Sequence, residues 1–182
     1  MRLIINVYDI QKTCNTKGAD VVGLGIYHSG VEILGTEYAY GGNALSNATG
    51  VFGMTPKCHS NFEYKQSIDL GEISVNDFFP NKKRCQRAST TVHQSIIFNR
   101  DIQPILDELS DEFRANKYDL LLRNCNHFAN ALIKRVYANK KRLPRWINRA
   151  AWCGSWLHCM VPDKYTKVIP PGQEDEAAAL AE

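Results

Sequence analysis

The chain has 182 residues, 44% hydrophobic and 23% charged, which is the composition of one globular domain and excludes disorder as the dominant state. Its net charge of +3 is too mild to point to nucleic acid. The longest apolar run, Leu3 to Tyr8, is interrupted by Asn6 and too short to cross a bilayer, and the N-terminus lacks the apolar core and small-residue cleavage site of a signal peptide. The expectation is a soluble, cytoplasmic protein without an integral membrane segment, the nucleus also being open to it.

Leu3–Ile10 is β-rich and opens the domain, Cys14–Asp20 is a polar loop, and Val21–Ser29 reads as a strand whose glycines admit close backbone approach. Gly30, Gly35 and the Gly41–Gly42 pair punctuate Val31–Leu34 and Glu37–Tyr40, the pattern of an antiparallel hairpin. Gly50–Thr55 is a short strand stopped by Pro56. Phe62–Leu70 alternates apolar and polar side chains, the period of a half-buried strand. Phe79–Arg100 is basic and polar, then β-branched over Thr90–Phe98, and reads as a loop with an edge strand. Two helices follow. Ile102, Ile105, Leu106, Leu109 and Phe113 form one stripe, with Asp101 or Gln103 at its start and Pro104 in its first turn. Cys125, Phe128, Ala129, Leu132 and Val136 repeat that spacing, with Asn124 placed as N-cap and Lys134, Arg135, Lys140 and Lys141 at the C-terminal end. Arg145–His158, after Pro144, is a third apolar and aromatic segment. The proline-containing, acidic stretch from Pro170 onward reads as a flexible tail. Strands first and helices second argue α+β. The expected organisation is one domain over residues 1–160 and a tail over 161–182.

Charge and cysteine narrow the chemistry. From Leu120 to Pro162 there is no acidic residue while eight basic ones occur. Such a face can attract an acidic protein or anionic headgroups, the plain alternative being a solvated helix face. The six cysteines have irregular spacing and no accompanying secretion signal, which argues for reduced thiols rather than a disulfide framework. Without a CxxC pair, and with no fourth ligand near Cys153, His158 and Cys159, no metal is expected.

Cys125 sits in the first turn of a helix, where the macrodipole and unpaired N–H groups favour a thiolate, and Arg123 is close in sequence. This is the setting of an activated nucleophile, the alternative being a buried cysteine that packs as a small hydrophobe. His127 is two residues on and faces the other way, so a base must come from a distant segment. His28, at the end of an apolar strand and before Ser-Gly, is the candidate. His59, His93 and His158 read as surface residues.

These residues carry a resemblance. GIYHSGVEILGTEYAYGG over residues 25–42 resembles the histidine motif of the PPPDE family, the permuted papain-fold peptidases also called desumoylating isopeptidases. RNCNHF at Arg123–Phe128 is similar to that family's cysteine motif, and NVYD at Asn6–Asp9 and PRWINRA at Pro144–Ala150 fit it as well. The resemblance covers about residues 3–150. It implies a circularly permuted papain-like fold, an antiparallel sheet packed with helices, and a cysteine hydrolase that uses no cofactor. By motif, Cys125 would be the nucleophile and His28 the base. Substrates would be conjugates of ubiquitin or SUMO-like modifiers. The oxyanion would sit at the Cys125 N–H and a second donor, for which Asn124 is a candidate although its capping duty competes. Glu37 could orient the imidazole, or be an exposed hairpin residue. The extra stretch between Phe79 and Arg100 bears on substrate choice. Three alternatives stay open: a protein S-acyl thioesterase, a lecithin:retinol acyltransferase-like phospholipase or acyltransferase, and a non-catalytic binding module. A homodimer also stays open.

Overall fold

A computed structural model of the chain describes residues 1–10, 25–42, 48–73 and 98–155. The loop over Cys14–Asp20, most of the strand expected before Tyr27, the stretch from Phe79 to about Phe98 and the tail over 161–182 lie outside these described residues.

Five strands form one antiparallel sheet: β1 (Arg2–Asp9), β2 (Tyr27–Ile33), β3 (Thr36–Tyr40), β4 (Val51–Met54) and β5 (Glu63–Glu72), in the order β4-β3-β2-β1-β5. Among the described residues three α-helices follow: α1 (Gln103–Glu112), α2 (Cys125–Val136) and α3 (Arg149–Ser155). The α+β expectation holds. Among the described residues no helix is long and apolar enough to cross a membrane.

The hairpin between β2 and β3 turns at Gly35, as the glycine spacing suggests, but β2 begins earlier than expected. Gly30 lies inside β2, and the turn falls at Leu34 and Gly35, both at positive φ. Gly30 is required there for space: a Cβ on it would stand 2.1 Å from Glu37 Oε1. β5 also departs from expectation. Its residues are mostly exposed, Tyr64 by 39%, because it is an edge strand whose register against β1 shifts twice. α1 begins at Gln103 after a wide turn over Phe98–Ile102, and Asp101 pairs with Arg100 instead of capping it.

Leu3, Ile5 and Val7 of β1 and Val31 and Ile33 of β2 point to one face of the sheet, where Leu106 and Leu109 of α1 and Phe128, Leu132 and Val136 of α2 close the core. Each such side chain, fully buried, contributes about 1.5–3 kcal/mol. The period of two sends Asn6, Tyr8, His28 and Glu37 to the opposite face. The chain between β4 and β5 covers them there: the Lys57 N–H donates to Glu37, and the rings of His59 and Phe62 lie against His28. β2 and β3 pair from Ile33↔Thr36 to Val31↔Tyr38, and the strands part before Ser29. The N-terminus of α2 enters at that opening.

Candidate active site

Asn124 caps α2 as its residue type dictates. Its Oδ1 accepts the His127 N–H at 3.0 Å, and the Asn124 N–H donates to His127 Nδ1 at 3.1 Å. His127 therefore completes a capping box, in the place glutamate or glutamine commonly takes. Its ring is turned onto its own helix end, with Nε2 3.3 Å from Asn148 Nδ2. Asn124 Nδ2 donates to the Leu120 carbonyl at 2.8 Å and to Asn148 Oδ1 at 3.1 Å. Both of its side-chain atoms are thus engaged.

Cys125 opens the helix and is 2% exposed. Its sulfur accepts hydrogen bonds from the Ser29 N–H, the Tyr118 hydroxyl and the Asn126 N–H. These donors favour the thiolate, but burial outweighs them and pushes the thiol above its ordinary range. The helix dipole does not produce the resting thiolate that the sequence suggests. Tyr118 in turn is held far above the usual phenol range, by burial and by the neighbouring sulfur.

His28 stands directly before the Ser29 amide that holds the sulfur. Its ring packs 4.7 Å from His59, 5.2 Å from Phe62 and 5.9 Å from Tyr8, centroid to centroid. Its Nε2 is buried and has no hydrogen-bond partner among the described residues. Burial first, and His59 second, push the imidazole down to about 3. The resting pair is accordingly a neutral thiol and a neutral imidazole: the sulfur is held by the amide of the residue after His28, while the His28 ring packs with Tyr8, His59 and Phe62 and is not bonded through Nε2 to the sulfur.

Glu37 is fully buried rather than an exposed hairpin residue. It accepts from Asn6 Nδ2 at 2.6 Å, from the Tyr8 hydroxyl at 2.8 and 2.9 Å, and from the Lys57 N–H at 3.0 Å. Burial nonetheless raises its carboxyl above the usual range. It does not bond His28, and reaches that ring only through Tyr8, which it fixes.

Asn126 and Asn148 are the polar residues that sequence reasoning passed over. Asn126 Oδ1 accepts the Ser29 hydroxyl at 2.7 Å, and its Nδ2 donates to the Tyr27 carbonyl at 2.9 Å and to Asn148 Oδ1 at 3.2 Å. One side chain thus ties α2 to β2 and to the turn over Arg145–Asn148. The available signal was an asparagine off the apolar stripe yet next to the nucleophile. For Tyr118, seven residues ahead of Cys125 in an irregular stretch, no local pattern existed. In front of the thiol lies a cavity of about 110 Å³, walled mainly by apolar side chains including Ile26, Tyr27, Leu121 and Ala151.

Comparison with known proteins gives the family. The family model described as "PPPDE putative peptidase domain" matches residues 1–165. The chain is 34% identical over 180 residues to a protein of Caenorhabditis elegans named desumoylating isopeptidase 1 homolog, covering 94% of this chain and 46% of that one. It is 28% identical over 159 residues to a DeSI-like protein of Arabidopsis thaliana, covering 87% and 59%. With a DeSI-like protein of Schizosaccharomyces pombe it shares 33% identity over 156 residues, covering 85% and 66%. It spans about half to two thirds of the length of these relatives. The matched span includes the β2 segment, the α2 cap and the Arg145–Asn148 turn, and the chain belongs to the PPPDE peptidase family.

Proposed function

We propose that residues 1–160 form a circularly permuted papain-like hydrolase that cleaves isopeptide bonds between ubiquitin or SUMO-like modifiers and the lysines of target proteins. The observation that carries this reading is the Cys125 sulfur at a helix N-terminus, held by the Ser29 N–H directly after His28. The names of the relatives, which include a desumoylating isopeptidase homolog, support the substrate class.

Cys125 is the nucleophile and His28 the base. The His28 ring turns from its resting place against His59 and Phe62 to the sulfur, which attacks the carbonyl carbon as its proton passes to the imidazole. The C–N bond breaks, the proton goes to the departing lysine amine, and a thioester remains on Cys125. Water, deprotonated by the same imidazole, then hydrolyses it. Because the resting pair is neutral, the ion pair forms only as substrate engages, when the new imidazolium and the sulfur stabilise each other. The oxyanion is received by the Cys125 N–H, with the Tyr118 hydroxyl as second donor. Asn124, committed on both side-chain atoms, serves the helix cap instead. A catalytic thiol also argues for the reducing cytoplasm, and the described cysteines 58, 125 and 153 are free.

The small cavity at the thiol suits an acyl chain with little or no side chain. Its apolar walls favour one second reading, hydrolysis of protein S-acyl thioesters by the same residues. Parallel assays decide between them. An isopeptide-linked modifier conjugate should be cleaved by the wild type and not by Cys125→Ser. Turnover of a lipid thioester alone would select the second reading, and turnover of neither by the folded protein would overturn both.

A further inference from the structure

We infer that a basic pocket beside the active site binds an acidic peptide segment, the stretch of a substrate protein that flanks its modified lysine; in its choice of a peptide ligand this rests on the hydrolase reading above. The pocket has a volume of about 560 Å³ and lies where α2, the Arg145–Asn148 turn and α3 meet. Lys134 of α2, Arg142, Arg145 and Arg149 line it, with the indole of Trp152, which is 62% exposed, on its rim. Among the described residues none that lines it is acidic. The contrast with the rest of α2 is informative: Arg135, one residue from Lys134, is met by Glu112 at 2.6 Å. Four of the eight basic residues between Leu120 and Pro162 thus line one concavity.

Asn126, His127 and Asn148 belong to the wall of this pocket. Asn126 adjoins the nucleophile, and Asn148 is hydrogen-bonded to both Asn124 and Asn126. A chain joined to a lysine whose acyl bond lies at Cys125 therefore has the pocket within a few residues' reach. Guanidinium groups meet carboxylates in paired, planar hydrogen bonds, and the exposed indole gives an apolar flank to the backbone between them. The volume is that of a site for several residues rather than for a single small ion.

The test uses the whole protein and a fluorescein-labelled peptide, Gly-Glu-Glu-Asp-Glu-Gly, against its amide counterpart, Gly-Gln-Gln-Asn-Gln-Gly, read by anisotropy. Binding of the acidic peptide, weakened by raising salt to roughly 0.3 M, with about tenfold preference over the amide peptide, is the expected result. The exposed pair Arg142→Glu and Arg145→Glu should abolish it while the thermal melt confirms the fold. Milder Arg142→Gln and Arg145→Gln changes should lower it in the same direction if the reversals unfold the chain. Cys125→Ser should bind like the wild type, so loss of hydrolysis and loss of the pocket are read separately. Equal binding of both peptides, or undiminished binding by the folded double variant, would overturn the inference. So would displacement of the peptide by inorganic phosphate at equal concentration, which would mark a small-anion site. Retention on phosphatidylserine-containing vesicles without peptide binding would mark a lipid surface and overturn it too.

Discussion

At Cys125 two influences of opposite sign act on one thiol. Four donors, the Cys125 N–H among them, favour the charged form and removal from water opposes it, with burial the larger. Iodoacetamide alkylation of the free protein should therefore show a midpoint above the ordinary cysteine value of about 8.5. Tyr118→Phe removes a donor to the sulfur and should move that midpoint up by as much as about one unit, the equivalent of one hydrogen bond of about 1 kcal/mol. A midpoint that falls would show that the phenol does not hold the thiol. Cys125→Ser should abolish hydrolysis yet change stability by less than about 1.5 kcal/mol, since the swap is nearly isosteric and the same donors can meet a hydroxyl. His127→Ala removes half of a capping box and should lower stability by about 1 kcal/mol, with a far smaller effect on turnover than His28→Ala. The reverse ranking would transfer the base role to His127.

Among the elements, β2 is the most constrained. It must admit Glu37 on one face at Gly30 and leave the Ser29 amide to the sulfur at its edge. Gly30→Ala drives a methyl into the Glu37 carboxylate and should destabilise by about 2–4 kcal/mol, the range of overpacked and network-breaking changes. Glu37→Ala in the same chain should recover part of that loss, a coupling readable in a double-mutant cycle by denaturant titration; strict additivity would show that the clash is relieved elsewhere. Asn126→Ala removes the acceptor of the Ser29 hydroxyl and a donor to the Tyr27 carbonyl and should cost about 2 kcal/mol. These elements were unequally legible in the sequence. The α2 stripe and its Asn124 cap could be read because a helix prints its buried face and its terminus locally. Gly30 read as a break, whereas it is an interior position emptied for a side chain of β3, and only the three-dimensional pairing shows that. β5 alternates like a half-buried strand, but its place at the sheet edge leaves it exposed. The candidate site was half visible: Cys125 and His28 lie in motifs, while Tyr118, Asn126 and Asn148 act through contacts between distant segments.

Across the molecule, the sheet separates two chemistries, an apolar core under α1 and α2 and a polar cluster of Asn6, Tyr8, His28 and Glu37 on the other face. That cluster sets the response to acid. His28 is neutral in the fold, its proton affinity pushed down to about 3, whereas in the unfolded chain it takes a proton near pH 6.5. Its contribution is therefore complete above about pH 6.5 and is lost as the pH falls toward 3, on the order of 3 kcal/mol by pH 4. Glu37, raised by burial, acts with the opposite sign, because the folded state protonates first. In acid titrations followed by circular dichroism, His28→Gln should lose less stability than the wild type over that window and Glu37→Gln should lose more. The central claim is that Cys125 is a nucleophile served by His28 and aimed at the carbonyl of a modifier's C-terminus. Its most direct measurement is capture by ubiquitin and SUMO carrying a C-terminal electrophile, with the attachment site found by peptide mass spectrometry. The account predicts a single adduct at Cys125, absent in Cys125→Ser, much slower in His28→Ala and nearly unchanged in His127→Ala. Capture at Cys58 or Cys153 instead, or a rate indifferent to His28, would contradict it.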